Sequence, residues 1–234
     1  MSLNLSSYVE VEHKHQTKDD DCGPTCISMV SGIPIMKLLK EIRIFDRGTY
    51  SFQLAGYLHE LGMKPECYYF NPKLTHINDQ HDDLVIGNTG ETLITRLLHM
   101  KPKCADEKNA INFMHNYLKY KGGHIEVCFP TLDLFLQKLD KGYIALCLLI
   151  NNHIYEDDTW ERVDAKLFYH FNIVSGYTKH SRRTSSNALT FTVQDPMCDD
   201  AIEVNADHLL YGINSAVGSG AVDFGNIIFV KPRR

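Results

Sequence analysis

The feature that most constrains the fold is a change of hydrophobic periodicity near residue 124. Before that point apolar residues recur mainly at helical spacing, and after it most segments are β-branched or aromatic runs bounded by Gly, Pro, Asn or Asp. Helices followed by strands indicate an α+β fold rather than the alternating order of βαβ units. We therefore expect a helix that carries Cys22 to pack on an antiparallel sheet, formed mainly by strands after residue 124.

The periodicity also predicts the individual elements. Ser51 and Asn205 are candidate N-caps. The predicted helices cover about 24–31, 35–42, 51–61, 91–100, 107–120, 132–139 and 206–211. The predicted strands are about 66–70 and the runs HIEVCF, YIALCLLI, HFNIVSGYT, ALTFTVQD and NIIFVK, with residues 180–187 as the loop of a hairpin.

Length and composition limit the possible classes of protein. The 234 residues, 44% hydrophobic and 23% charged, are typical of one globular domain. The longest apolar run, 143–150, is far shorter than the roughly 20 residues of a membrane-spanning helix. A net charge of −5 disfavours a nucleic-acid partner. The N-terminus lacks a secretory signal pattern, which predicts a cytoplasmic protein or, alternatively, a secreted effector that acts in a host cytosol.

The seven cysteines are odd in number and scattered, so we expect reduced thiols rather than a disulfide framework. His13, His15, Cys22 and Cys26 can be written as a metal cluster, but their spacing matches no usual zinc site. We therefore expect no metal and no cofactor.

Cys22 differs from the other cysteines because it lies in a polar run, DDDCGPTC, immediately before a helical pattern. A thiol at a helix N-terminus gains thiolate character from the free backbone N–H groups and the helix dipole. The acidic run 19–21, expected to be a solvated segment, opposes this effect, because nearby negative charge disfavours a thiolate. A nucleophilic Cys22 therefore needs a cationic partner, for which an imidazolium is the obvious candidate.

Three further residues can complete such a site. His170 opens the predicted strand HFNIVSG, where a base would be held rigidly. The next predicted strand ends at Asp195, and a hairpin would bring this carboxylate toward His170 as its orienter. Gln16 lies in the segment that leads into the Cys22 helix, where its side-chain amide could donate to an oxyanion.

These residues resemble the C39-like cysteine peptidases of the papain fold, including the bacteriocin-leader processing domains. The resemblance rests on QTKDDDCGPTCISM at 16–29, HFNIVSGY at 170–177 and VQDP at 193–196, in the family's order. It implies a papain-like fold with Cys22 as nucleophile, His170 as general base, Asp195 as orienter and Gln16 as oxyanion donor. The sequence is also similar to the C39-like domain named after a guanylyl cyclase, an activity that fits a cysteine triad poorly.

The resemblance implies a thiol hydrolase that acts on an amide bond of a protein or peptide substrate. Peptide cleavage and glutamine deamidation share the first chemical step, so both remain open. The alternative is a catalytically silent C39-like module that binds a protein partner. We expect one domain over residues 1–234 with a largely helical insert at about 71–123, which the family pattern does not explain. In the silent module, this insert would contact the protein partner.

Overall fold

A computed structural model describes residues 5–46, 48–72, 74–75, 93–154, 169–180, 189–218 and 222–233. Within these ranges the helices are α1 (Cys22–Ser31), α2 (Ile35–Glu41), α3 (Ser51–Glu60), α4 (Leu93–His99), α5 (Ala105–Tyr120), α6 (Leu132–Asp140) and α7 (Ala206–Gly218). The strands are β1 (Leu5–Tyr8), β2 (Glu66–Tyr69), β3 (Ile125–Val127), β4 (Ile144–Ile150), β5 (Tyr169–Lys179), β6 (Leu189–Gln194), β7 (Ile202–Asn205) and β8 (Asn226–Val230).

One sheet joins all eight of these strands, in the order β3-β2-β8-β4-β5-β6-β7, with β1 paired to β5 beyond the end of β4. Strands β2 and β3 are parallel and the other pairs are antiparallel. The prediction of an antiparallel sheet was therefore wrong for this pair. The chain between them runs through α4 and α5, and such a crossover returns in the same direction, unlike a tight hairpin.

Helices cover both faces of this sheet. Alternate residues of β4 point to opposite sides: Ile144 and Leu146 pack with residues of α1 to α5, whereas Ala145 and Cys147 pack with residues of α6 and α7. Every residue of β4 is consequently buried. A strand buried on both faces explains why this part of the sequence is an uninterrupted apolar run.

Helix α1 is central to the arrangement and is buried along its whole length. It begins at Cys22, two residues before the predicted start, and ends where Gly32 adopts a left-handed conformation with φ of 70°. Near its beginning the chain packs closely, because a Cβ atom on Gly23 would lie 2.0 Å from Thr49 Oγ1. Glycine is therefore required next to Cys22.

Most of the other predicted elements agree with the structure to within a few residues. Helix α7 differs, because it continues to Gly218 rather than ending at 211. Gly212 interrupts the sequence pattern, but its missing side chain lets the helix approach the sheet: a Cβ there would lie 3.2 Å from the carbonyl of Ile150. The four-residue strands β1 and β7 were not predicted. The antiparallel pairing of β5 with β6 forms the expected hairpin, although most of its loop lies outside the described residues.

The segment predicted as an insert contributes to the core in its described part. Helix α5 packs against α3, and Leu97, Met114 and Leu118 are buried in the cluster that also contains α1. Residues 73 and 76–92, which include the predicted start of α4 at 91, lie outside the described residues. The division into one domain with an insert stays a prediction. In the described part of the chain, no helix combines the length and the apolar character needed to cross a membrane.

Candidate active site

Cys22 is the first residue of α1, and its position follows from how this helix contacts the sheet. One turn further along, Cys26 Sγ donates to the backbone carbonyl of Phe171 in β5 at 3.4 Å. Residues four apart lie on the same side of a helix, so Cys22 faces the strand beside His170. The thiol is 7% exposed. It lies where the first N–H groups of the helix have no partner within the helix.

His170 and Asp195 form a contact that excludes solvent. The His170 Nε2 atom lies 3.1 Å from Asp195 Oδ1, and both side chains are completely buried. Strand β5 carries the histidine, and the aspartate follows β6 directly. The two strands pair with Ile173 opposite Gln194, which brings the end of β6 alongside the start of β5. The hairpin thus joins residues that are far apart in sequence.

The surroundings of His170 favour the protonated ring. Burial by itself disfavours the charged imidazolium, but hydrogen bonding and charge interaction with Asp195 and with Cys22 outweigh it, and the pKa rises from 6.5 to about 9. A protonated His170 between a carboxylate and a thiol is the cationic partner that Cys22 needs. Cys26, one turn away, behaves differently: burial raises the pKa of its thiol well above the ordinary value. Cys26 therefore stays a neutral thiol.

Asp195 is held by donors other than His170. Its Oδ1 accepts from the backbone N–H of Met197 at 2.8 Å, and its Oδ2 accepts from Asn151 Nδ2 at 2.9 Å. Asn151 Oδ1 in turn accepts from Asn172 Nδ2 at 2.9 Å. Both asparagines are buried, at 3% and 0% exposure. Donors around the carboxylate favour its ionised form.

Gln16 lies next to this group through its backbone. Its N–H donates to the carbonyl of Pro196 at 2.8 Å, which joins it to the residue that follows Asp195. The side chain is 8% exposed, and its Oε1 atom has no hydrogen-bond partner among the described residues. The four residues singled out in the sequence thus belong to one region at the N-terminus of α1 and the adjoining ends of β5 and β6.

The acidic run beside Cys22 is only partly solvated, contrary to expectation. Asp19 and Asp20 are exposed, but Asp21 is completely buried. Its Oδ2 atom accepts from Thr17 Oγ1 at 2.6 Å and from the Thr17 backbone N–H at 3.3 Å. The carboxylate is buried because it closes the loop between Gln16 and Cys22.

The four residues of the alternative metal cluster are not brought together. His13 contacts Gln194 Oε1 and the carbonyl of Cys198, each at 2.8 Å, while His15 contacts the carbonyls of Gln16 and Met197. Over the described ranges, no group of three His, Cys, Asp or Glu side chains is arranged to hold a metal ion. All seven cysteines are free thiols. The two histidines instead attach the N-terminal segment to the loop after β6.

Asn151 and Asn172 were missed in the sequence. Both interrupt apolar runs, since Asn151 follows IALCLLI and Asn172 lies within HFNIVSG. A polar residue at a position that the pattern assigns to the core needs a hydrogen-bond partner, and this was the available signal. Nothing local in the sequence indicates that the partner is Asp195.

No protein-family model matches the sequence, and no curated protein matches it. Among solved structures, the fold is similar to that of a "putative C39-like peptidase" from Bacillus anthracis, with a TM-score of 0.46 and 14% identity. The alignment covers 98% of this chain and 100% of that chain.

Proposed function

We propose that this protein is a thiol hydrolase with a papain-like arrangement, which cleaves an amide bond through Cys22, His170, Asp195 and Gln16. The observation that carries the proposal is the completely buried contact of His170 with Asp195, next to a thiol at a helix N-terminus. A base, its orienter and a nucleophile in this relation are the components of nucleophilic acyl transfer.

In the proposed reaction, the thiolate of Cys22 attacks the carbonyl carbon of the amide. The backbone N–H of Cys22 and the side chain of Gln16 stabilise the negative charge that develops on the oxygen. Collapse of the intermediate breaks the C–N bond, and the proton of the His170 Nδ1 atom passes to the leaving amine. Water, deprotonated by His170, then attacks the thioester, releasing the carboxylic acid and the thiol. Asp195 keeps Nε2 of the ring engaged throughout, so that Nδ1 carries out both proton transfers.

A peptide bond and the side-chain amide of glutamine are both substrates for this sequence of steps. The leaving group is an amine in the first case and ammonia in the second, and both reactions use the same nucleophile, base and oxyanion donors. Peptide cleavage is detected as new N-termini and deamidation as released ammonia, so one incubation with a protein substrate tests both. Cys22→Ala should abolish either product.

The test that does not require a known substrate is selective alkylation. Cys104 is exposed and serves as the ordinary thiol for comparison. At pH 6 we expect iodoacetamide to label Cys22 faster than Cys104, although Cys22 is the more buried, because the imidazolium stabilises its thiolate. Labelling of Cys22 no faster than that of Cys104 would favour the catalytically silent binding module.

The role of Gln16 has its own test, once turnover is measured. Gln16→Ala should lower kcat by about 10²–10³ with little change in KM, since an oxyanion donor acts mainly in the transition state. The alkylation rate of Cys22 should stay close to that of the wild type, because alkylation develops no oxyanion. A variant with normal kcat would remove Gln16 from the proposal.

A further inference from the structure

The side chains around Asp195 form a connected, buried chain of hydrogen bonds and contacts. Starting from His170, it passes to Asp195 at 3.1 Å, to Asn151 at 2.9 Å and to Asn172 at 2.9 Å. Asn172 lies two residues after His170 on β5, so both side chains point to the same side of the strand. The path therefore leaves β5 at the histidine and returns to it at Asn172. We call these four residues the buried polar ring.

The direction of each hydrogen bond in the ring is determined by its neighbour. The amide of Asn172 donates to Asn151 Oδ1, so the oxygen of Asn151 is occupied and its Nδ2 must face Asp195. A reversed Asn151 amide would place its oxygen against the carboxylate and its NH₂ group against that of Asn172. Both contacts are repulsive in a buried site. The carboxylate can only accept, so it requires Nδ2 of Asn151, and the hydrogen bond from Asn172 to Oδ1 holds Asn151 in that orientation.

From this geometry we propose that Asn151 is a positioning residue that keeps Asp195 ionised and directed at His170, and that Asn172 orients Asn151. This inference rests on the proposed function, in which Asp195 serves His170. Asn151 is placed for the role by the chain itself, because it directly follows β4, the neighbour of β5 in the sheet. In this role Asn151 acts through Asp195 rather than on the reacting atoms, so it is not a catalytic residue.

Titratable groups from several elements surround the ring. Cys22 and Cys26 belong to α1 and Cys147 to β4, and burial raises the pKa of both Cys26 and Cys147 far above neutrality. His13 contacts Gln194, the residue before Asp195, and burial lowers the pKa of His153, two residues after Asn151. Because these groups are the same in the wild type and in every variant, the difference between two profiles reports on the substitution.

The experiment compares Asn151→Leu and Asn172→Leu with a matched control. Asn226→Leu makes the same change at another buried asparagine, in β8, outside the buried polar ring. The rate of Cys22 alkylation is measured from pH 4 to pH 8 in each variant, after far-UV circular dichroism and thermal unfolding have shown that it is folded.

We expect Asn151→Leu to move the acid limb of the alkylation profile to higher pH by about one unit. Asp195 loses a charge-assisted hydrogen bond, takes up a proton at higher pH, and then no longer supports the protonated ring. Asn172→Leu should move the limb in the same direction by less, and Asn226→Leu should not move it. The proposal would be overturned if folded Asn151→Leu had the same alkylation profile as the wild type. If Asn151→Leu does not fold, Asn172→Leu provides the comparison instead.

A second measurement separates this proposal from the proposed function. The ring nitrogens of His170 are followed by ¹⁵N NMR at a pH where the imidazole is neutral. In the wild type the proton should lie on Nε2, which faces Asp195, whereas Asn151→Leu should show a mixture of the two tautomers. If wild-type Cys22 is not alkylated selectively, the proposed function fails, but this shift of tautomers still supports the positioning role. An unmixed Nε2–H tautomer in Asn151→Leu would overturn it.

Discussion

Replacing Asp195 by Asn should remove the loss of stability that His170 causes as the pH rises. In the wild type, a completely buried imidazole is protonated because a completely buried carboxylate lies 3.1 Å away. Asp195→Asn keeps the size of the side chain and removes its charge. Burial, which lowers the pKa of the ring, is then opposed mainly by Cys22. We expect the pKa of His170 in the folded variant to fall toward or below 6.5.

The magnitude follows from linkage. The rise of the His170 pKa from 6.5 to about 9 corresponds to about 3 kcal/mol of stability, at about 1.4 kcal/mol for each unit of pKa. Because the folded protein binds this proton more tightly than the unfolded chain, the contribution is fully present below pH 6.5. It is lost as the pH rises through about 9. In Asp195→Asn this loss of stability should be absent. If the pKa of His170 in the variant falls below 6.5, stability should instead rise slightly as the pH rises from that pKa to 6.5.

The measurement is the free energy of unfolding in urea between pH 7.5 and pH 9.5, under reducing conditions, for wild type and variant. Asp223 also contributes to the pH dependence of stability, because burial raises its pKa to about 7. This carboxyl has largely titrated before the range begins. The wild type should lose about 2 kcal/mol relative to Asp195→Asn across the range, because the rest of the contribution is already lost between pH 6.5 and pH 7.5. Parallel curves for the two proteins would refute the reasoning.

Three further predictions concern stability. Gly23→Ala should destabilise the fold by about 1–3 kcal/mol, because its Cβ would lie 2.0 Å from Thr49 Oγ1. In urea titrations, the double variant with Thr49→Ala should recover part of the lost free energy of unfolding. No recovery would show that the clash is elsewhere. Asp223 accepts from the backbone and hydroxyl of Ser51, and burial raises its pKa to about 7. The wild type should therefore lose about 3 kcal/mol relative to Asp223→Asn as the pH rises from about 4 to about 7, and an equal pH dependence of the two proteins would contradict the protonated buried carboxyl. Asn226→Leu should raise the free energy of unfolding by about 1–2 kcal/mol, since neither polar atom of its buried side chain has a partner among the described residues, and a lower Tm would count against this.

The local parts of the fold were predictable because their signals are periodic and short in range. Helix α1 with Cys22 at its beginning, the buried run of β4 and the hairpin of β5 and β6 each follow from patterns of ten to thirty residues. The hairpin is also what made Asp195 a candidate partner for His170 from sequence alone. Short strands such as β1 and β7 were missed, because four residues are too few to show a period.

The contacts that join distant segments were decided by the tertiary structure. Sequence patterns assigned β2 to a helical half of the chain, but its hydrogen bonds are made to β3 and β8, the latter at the far end of the protein. In the same way, the sequence places Asn151 at the end of an apolar run, but in the structure it is buried and donates to Asp195. Asp21 was expected to be solvated, but it is buried and accepts from Thr17. The sequence determined which residues carry suitable chemistry and which local element holds each. Their partners depend on strand order and register, which arise from burying apolar surface across the whole chain and leave no local pattern.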